Sequence, residues 1–179
     1  MGILSIEHSK LMYVSDLVAY AIGVSLMSAW MAYEAPASRQ LVLWVTMLLG
    51  LLAWSPVEYI VHRFILHGLE PFRSWHAVHH QRPRALIGAP TLLTMPAFFA
   101  LVFVPLWWLA DAWLACAFTA GLVSGYLVYA LVHHDAHHGH PALPGLKQRQ
   151  RMHALHHCDQ TGRGRYGVTS DWWDRLCRT

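Results

Sequence analysis

PTLLTMPAFFALVFVPLWWLA (90–110), then Asp111, then AWLACAFTAGLVSGYLVYALV (112–132) is a 43-residue apolar stretch broken by one charge. Two uncharged runs stand either side of a single aspartate. About 20 apolar residues in helix cross a ~30 Å hydrocarbon core. In lipid every backbone polar group needs a partner within the protein, so runs of this length are helical. Asp111 turns the two into a tight hairpin, and Pro96 and Pro105 are expected to kink its first arm.

Working outward, residues 17–33 carry no charge and residues 41–61 carry only Glu58. The expected fold is all-α and integral to a membrane, one domain over residues 1–179. Its transmembrane helices lie at about 17–33, 41–61, 90–110 and 112–132, and residues 62–89 and 133–179 make a cytoplasmic, histidine-rich helical cap. Composition agrees: 55% of residues are hydrophobic, 13% charged, and the mean hydropathy is +0.31, where soluble domains carry about 25% charged residues. Disorder, a nucleic-acid-binding arm and an ordinary soluble enzyme are excluded. Residues 1–16 lack the basic start, short apolar run and small-residue site of a signal peptide. Cys116, Cys158 and Cys177 form no CxxC pair and no even framework, so free thiols and a reducing compartment are expected.

Basic residues set the orientation. Arg39 alone lies between the first two spans and none lies between the last two. Lys10 precedes the first span, Arg63, Arg73, Arg82 and Arg84 follow the second, and the rest begin at Lys147. Both termini and the middle loop are therefore expected on the cytoplasmic side. Trp30, Trp44, Trp54, Trp107, Trp108 and Trp113 lie near span ends, where interfacial anchors are expected.

Of 14 histidines, all but His8 and His140 fall in four clusters. These are His62/His67, His76/His79/His80, His133/His134/His137/His138 and His153/His156/His157. Each begins at the cytoplasmic end of a span or in the cap, so the topology alone can gather them. Helical residues three and four apart share a face, which lets each HxxHH trio aim at one point. The third cluster has two possible registers, His133/His137 or His134/His138. His62 and His67, five apart, sit about 140° off a shared face of an α-helix, and Gly68 is expected to end the helix and bend His67 back. Glu58, one turn before His62, is the expected carboxylate partner orienting that ring.

Imidazole suits zinc, copper, iron and nickel. A structural zinc takes four ligands, so about ten histidines imply at least two ions. Neutral imidazoles leave the metal charge uncompensated, which suits oxygen chemistry on two irons. A two-zinc membrane hydrolase would carry carboxylates in the clusters, and a metal transporter would place ligands near the bilayer midplane. Few acidic residues lie in the clusters and the histidines sit at span ends and in the cap, which counts against both, though both classes stay open at this point.

The motifs also resemble a known family. Glu58-Tyr59-Ile60-Val61-His62-Arg63-Phe64-Ile65-Leu66-His67 is similar to the EYxxHRFxxH of fatty acid 2-hydroxylases, and His76 to Pro83 to their HxxHHxxP. His133–His138 resembles HxxxHH, His153–His157 the last HxxHH, and Gly167 to Asp174 the closing GVTSxxWD. The match runs from about Pro56 to the C-terminus, within the fatty acid hydroxylase / sterol desaturase superfamily of membrane histidine-cluster di-iron oxygenases. Three departures stand out: Ala85 replaces an aspartate, Tyr166 replaces a phenylalanine, and Leu176-Cys177-Arg178 breaks the usual ending.

The resemblance implies insertion of one atom of dioxygen into a C–H bond of a lipid, most simply a fatty acyl chain. Desaturation, or carotenoid or sterol hydroxylation, are the related alternatives. It selects His62, His67, His76, His79, His80, His133, His137, His153, His156 and His157 as ligands of two metal ions. Iron is expected, and zinc is possible in purified material. Glu58 and Asp174 are the expected supporting carboxylates, and Tyr166, Thr169 and Trp172 the expected substrate contacts. Arg73, Arg82, Arg84, Arg163 and Arg165 are candidates for a lipid head group. An alternative reading has Ser170 capping a short helix that starts at Asp171. No nucleotide fingerprint occurs, so an external ferredoxin or b-type cytochrome with its reductase is expected to supply electrons, docking on the basic face.

Overall fold

The computed structural model describes residues 6–159 and 164–179. Its described residues form helices α1 (Lys10–Glu34), α2 (Gln40–Ile60), α3 (Phe72–Gln81), α4 (Thr91–Phe98), α5 (Val104–Leu109), α6 (Ala112–His138), α7 (Pro144–Cys158) and α8 (Trp172–Cys177). Two π-helical segments extend them: Val61–Leu66 continues α2, and Phe99–Phe103 joins α4 to α5. Four helical runs are long and apolar enough to span a membrane: Lys10–Glu34, Ala37–Leu66, Thr91–Leu109 and Ala112–His138.

Each run starts or ends where local chemistry dictates. α1 begins well before the expected residue 17, because the Ser9 hydroxyl accepts from the Met12 N–H and caps the first turn. Its far end is closed by the Gln40 amide, which donates to the carbonyls of Met31 and Ala35. At the hairpin, Asp111 accepts from the Leu114 N–H at 3.0 Å and caps α6. In the run Thr91–Leu109, Pro105 has no N–H for the carbonyl four residues back and its ring crowds that carbonyl. The preceding residues take the wider π-helical winding there.

The chain divides into two compact units, Met1–Trp54 with Leu86–Leu127, and Ser55–Ala85 with Val128–Thr179. The first is a bundle with a thin core of Met31, Ala35, Leu43, Cys116, Ala117 and Ala120. Gly121 allows α6 to meet α2 backbone to backbone, since a Cβ there would lie 1.9 Å from the Met47 carbonyl oxygen. Arg39 and Asp111 form an ion pair at 2.6 Å, tying the two short inter-helical loops of this unit together. Large apolar side chains such as Leu26, Leu52, Leu101 and Trp108 point outward, as a lipid solvent permits. Trp54 departs from its expected role as an interfacial anchor: it is buried, edge-on to Tyr126, because Gly125 leaves room for it.

The second unit contains the end of α2 with its π-helical extension, α3, the end of α6, α7 and the C-terminal segment through α8. Asp171, not Ser170, occupies the position before α8, and its carboxylate pairs with Arg175 one turn on.

Candidate metal centre

Ten imidazoles of the second unit converge in two groups of five. His62, His67, His76, His80 and His156 have ring nitrogens all within 4.8 Å of one another, and so do His79, His133, His137, His153 and His157. Helix geometry explains the sorting. The four-apart pairs His76/His80, His133/His137 and His153/His157 each stay in one group. The trios do not each aim at one point as expected: the middle histidine of each HxxHH motif crosses to the other group, His79 joining the second and His156 the first. His134 and His138 stack on one another at 4.7 Å and lie in neither group.

His62 and His67 meet by a different device from the one expected. The helix does end at this point, with His67 as its C-cap and Gly68 just beyond, but its last turn does not bend back. It widens into the π-helical turn Val61–Leu66, in which the His67 N–H donates to the His62 carbonyl at 3.1 Å. A ladder that skips five residues places a five-apart pair on one face, and the two rings stand 5.1 Å apart.

The rings of the first group are held from behind by backbone. His62 donates its Nδ1–H to the Tyr166 carbonyl at 2.6 Å, and His156 donates its own to the Gly164 carbonyl at 3.0 Å. Those carbonyls belong to an irregular strap, residues 164–170, which two buried carboxylates pin down. Glu58 accepts from the N–H groups of Val168 (2.6 Å) and Thr169 (2.9 Å) and from the Thr169 hydroxyl (2.6 Å). Asp174 accepts from the N–H groups of Tyr166 (2.8 Å) and Gly167 (2.9 Å) and from the Thr179 hydroxyl. The partner of His62 is thus a carbonyl, and Glu58 supports it at one remove by fixing the strap.

Sequence reasoning missed both carbonyls, since a main-chain acceptor leaves no side-chain signature. The sequence shows only a glycine at 164, and the structure gives the reason for it. Gly164 has φ +133°, which L side chains rarely adopt, and a Cβ on it would lie 2.1 Å from the Thr179 backbone.

With the Nδ1 proton committed to a carbonyl, a neutral ring presents only a lone pair at Nε2. His62 and His156 are in that state and face His76 and His67 across 3.1 and 3.2 Å. In the second group Nε2 atoms follow one another from His79 to His133 (3.2 Å), His137 (3.2 Å), His153 (2.8 Å) and His157 (3.1 Å). A neutral ring nitrogen donates or accepts but not both, so this run is hydrogen-bonded only if alternate nitrogens split one proton between two neighbours. Lone pairs directed at a common cation need no such arrangement. Two ligands at right angles, each about 2.1 Å from a metal, stand about 3.0 Å apart, and the observed spacings lie around that value. The donor set fits a transition-metal ion in each group.

Burial keeps the rings neutral. Desolvation, with neighbouring imidazoles adding to it, pushes His67 and His80 down to about 4, His79 to about 3 and His157 to about 2. It also holds His76 and His153 well below the ordinary imidazole range. In His156 burial outweighs the opposing bond to Gly164. At neutral pH these lone pairs are free to bind metal.

Tyr166 is buried with its ring 5.3 Å from that of His67 and 5.7 Å from those of His62 and His156. Thr169 is tied to Glu58, and Trp172 is exposed. Arg73 pairs with Glu70 at 2.7 Å. Arg163 lies outside the described residues.

Residues 47–179 match the family model described as fatty acid hydroxylase. The dihydroceramide fatty acyl 2-hydroxylase FAH2 of Arabidopsis thaliana is 33% identical over 142 residues, covering 73% of this chain and 58% of that one. The ceramide very long chain fatty acid hydroxylase SCS7 of Saccharomyces cerevisiae is 29% identical over 184 residues, covering 91% of this chain and 42% of its own. A solved structure described as full-length scs7p, with only the hydroxylase domain visible, superposes with a TM-score of 0.77 at 22% identity, over 97% of this chain and 67% of that one. That likeness shows the fold. The chain spans a little over half the length of FAH2 and less than half of SCS7.

Proposed function

The chain belongs to the fatty acid hydroxylase family, and from that premise we propose that it is a membrane-bound, di-iron, O2-dependent oxygenase hydroxylating a fatty acyl chain. The names of its relatives point to the second carbon of the chain, in free or ceramide-linked form. The observation that carries the reading is the pair of five-imidazole groups. Among the described residues neither group contains a carboxylate, which disfavours the two-zinc hydrolase with its bridging acid.

The proposed ligands are His62, His67, His76, His80 and His156 for one ion and His79, His133, His137, His153 and His157 for the other. Bound there, two irons supply the oxidant that an unactivated C–H bond requires. The protein's own part is placement. The carbonyls of Tyr166 and Gly164 fix the tautomers of His62 and His156, so that Nε2 and not Nδ1 faces the ion. Glu58 and Asp174 hold those carbonyls still. The buried Tyr166 ring keeps water from the first group, and Tyr166, Thr169 and Trp172 are the proposed lipid contacts. Arg73, Arg82, Arg84 and Arg165 are candidates for the head group.

The net reaction consumes the lipid, dioxygen, two electrons and two protons, and yields the alcohol and water. A ferredoxin or b-type cytochrome, docked on the basic face, is the proposed electron source. The whole chain is read as one hydroxylase domain, with both termini and the histidine groups on the cytoplasmic side.

Lipid mass spectrometry of cells grown under labelled dioxygen, with and without the gene, tests this reading. A lipid with one added labelled oxygen is expected only with the intact protein and is lost in His79→Ala. Label arriving from water instead defeats the oxygenase assignment.

A further inference from the structure

The C-terminal helix is short, yet what holds it is informative about depth. Trp173, the second residue of α8, donates its indole N–H to the Ser55 hydroxyl at 3.0 Å. At the other end of the segment the Thr179 hydroxyl lies 3.1 Å from that of Tyr59. Ser55 and Tyr59 are one turn apart on α2, within the run Ala37–Leu66 that is long and apolar enough to span a membrane.

That run has 30 residues, about 45 Å of helix at ~1.5 Å per residue. A hydrocarbon core of ~30 Å takes up about 20 of them. Wherever those 20 are set within the run, residues 47–56 are among them, so Ser55 lies at hydrocarbon depth. A hydroxyl and an indole N–H in that layer are costly unless paired, and here they pair with each other.

The rest of α8 is built accordingly. Trp173 and the buried Asp174 face the protein, whereas Trp172 and Leu176, one turn apart, are 68% and 63% exposed. In water these two would be an unexplained apolar pair beside an ion-paired surface. The neighbouring charges suit an interface. Asp171 is paired with both Arg175 and Arg149, and Arg175 and Arg178 are long enough to carry their guanidinium groups outward to lipid phosphates. A tryptophan and a leucine facing one way, flanked by arginines, is the pattern of a membrane-interface element.

We infer that α8 is immersed in the bilayer interface beside the end of α2, with Trp172 and Leu176 against acyl chains and Arg175 and Arg178 at anionic head groups. The partner of this surface is the lipid bilayer. The strap carrying the Tyr166 and Gly164 carbonyls is thereby anchored to the membrane as well as to Glu58 and Asp174. The inference rests on α2 as a membrane span and stands whether or not the hydroxylase reading does.

Nitroxide labels test it on the full chain in nanodiscs of phosphatidylcholine and phosphatidylglycerol. Labels are placed by Trp172→Cys, Leu176→Cys and, for comparison, Arg175→Cys. The exposed thiols are removed by Cys158→Ser and Cys177→Ser. Labels at 172 and 176 are expected to collide several-fold more with dissolved oxygen than with a water-soluble nickel chelate, and the label at 175 to reverse that preference. Nickel-dominated collisions at 172 and 176 would place the helix in water, and inaccessibility to both would place it under protein; either overturns the inference. Should labelling disturb the fold, the unmodified chain is irradiated with a photoactivatable phospholipid. A lipid adduct on the peptide spanning residues 166–175 is expected, and its absence, with adducts present on the spanning helices, overturns the inference equally.

Discussion

The two five-histidine groups use the same ring chemistry but are put together in different ways. The second draws four of its five members from four-apart pairs on α6 and α7, with His79 added from α3. Four-apart spacing on one helix aims each of those two pairs. The first needs a π-helical turn for His62 and His67, and carbonyls from an irregular strap, 104 residues downstream of His62 and eight downstream of His156. One group is thus helix-built and the other strap-built. A perturbation of the strap should empty one site and spare the other.

The largest effect is expected from deleting a ligand on each side. His76→Ala and His153→Ala should each lose one metal equivalent and all turnover while keeping the other ion, as read by metal analysis of the purified chain. Loss of both ions in either variant would mean that the groups are one cooperative site.

Next in size is Glu58→Ala. It removes the acceptor of the buried Val168 N–H and of the part-buried Thr169 N–H and hydroxyl, at roughly 1–3 kcal/mol for a buried group left unpaired. Thermal unfolding in detergent should move down by several degrees, and the first ion should bind about 10- to 100-fold more weakly. The double variant with His153→Ala should lose both ions, whereas the double variant with His76→Ala should be no emptier than His76→Ala alone.

Gly164→Ala should act in the same direction with less global damage. A side chain at φ +133° strains the strap by about 1–3 kcal/mol, and its Cβ, 2.1 Å from the Thr179 backbone, also forces the last residue to shift. Weakened retention of the first ion, at unchanged retention of the second in a chelator challenge, is the expected result.

Smallest of all is Tyr166→Phe, which keeps the carbonyl and the ring and removes only the hydroxyl. Metal content should not change. A fall in metal content would show that the side chain, and not the main chain, orients His62.

The helix-built half of this arrangement was legible in the sequence. Apolar runs of about 20 residues announce spans, and the i, i+3, i+4 spacing of His76/His79/His80 and His153/His156/His157 announces convergence. Spacing did not reveal that the middle histidine of each trio crosses to the other group. That depends on where α3 and α7 lie relative to each other, which is tertiary information. The five-residue gap between His62 and His67 was read against a 3.6-residue helix, and a π turn has a different period. The role of Glu58 was half legible. A buried carboxylate near a span end must have partners, but nothing in the sequence distinguishes an imidazole from the N–H groups of Val168 and Thr169.

Iron content and X-ray absorption on the chain reconstituted with ferrous iron decide whether the ten imidazoles hold two ions. Two ions per chain are expected, each surrounded chiefly by about five imidazole nitrogens, with no sulfur scatterer. A folded chain that takes up one ion or none, or a shell made chiefly of oxygen or sulfur, would contradict that expectation.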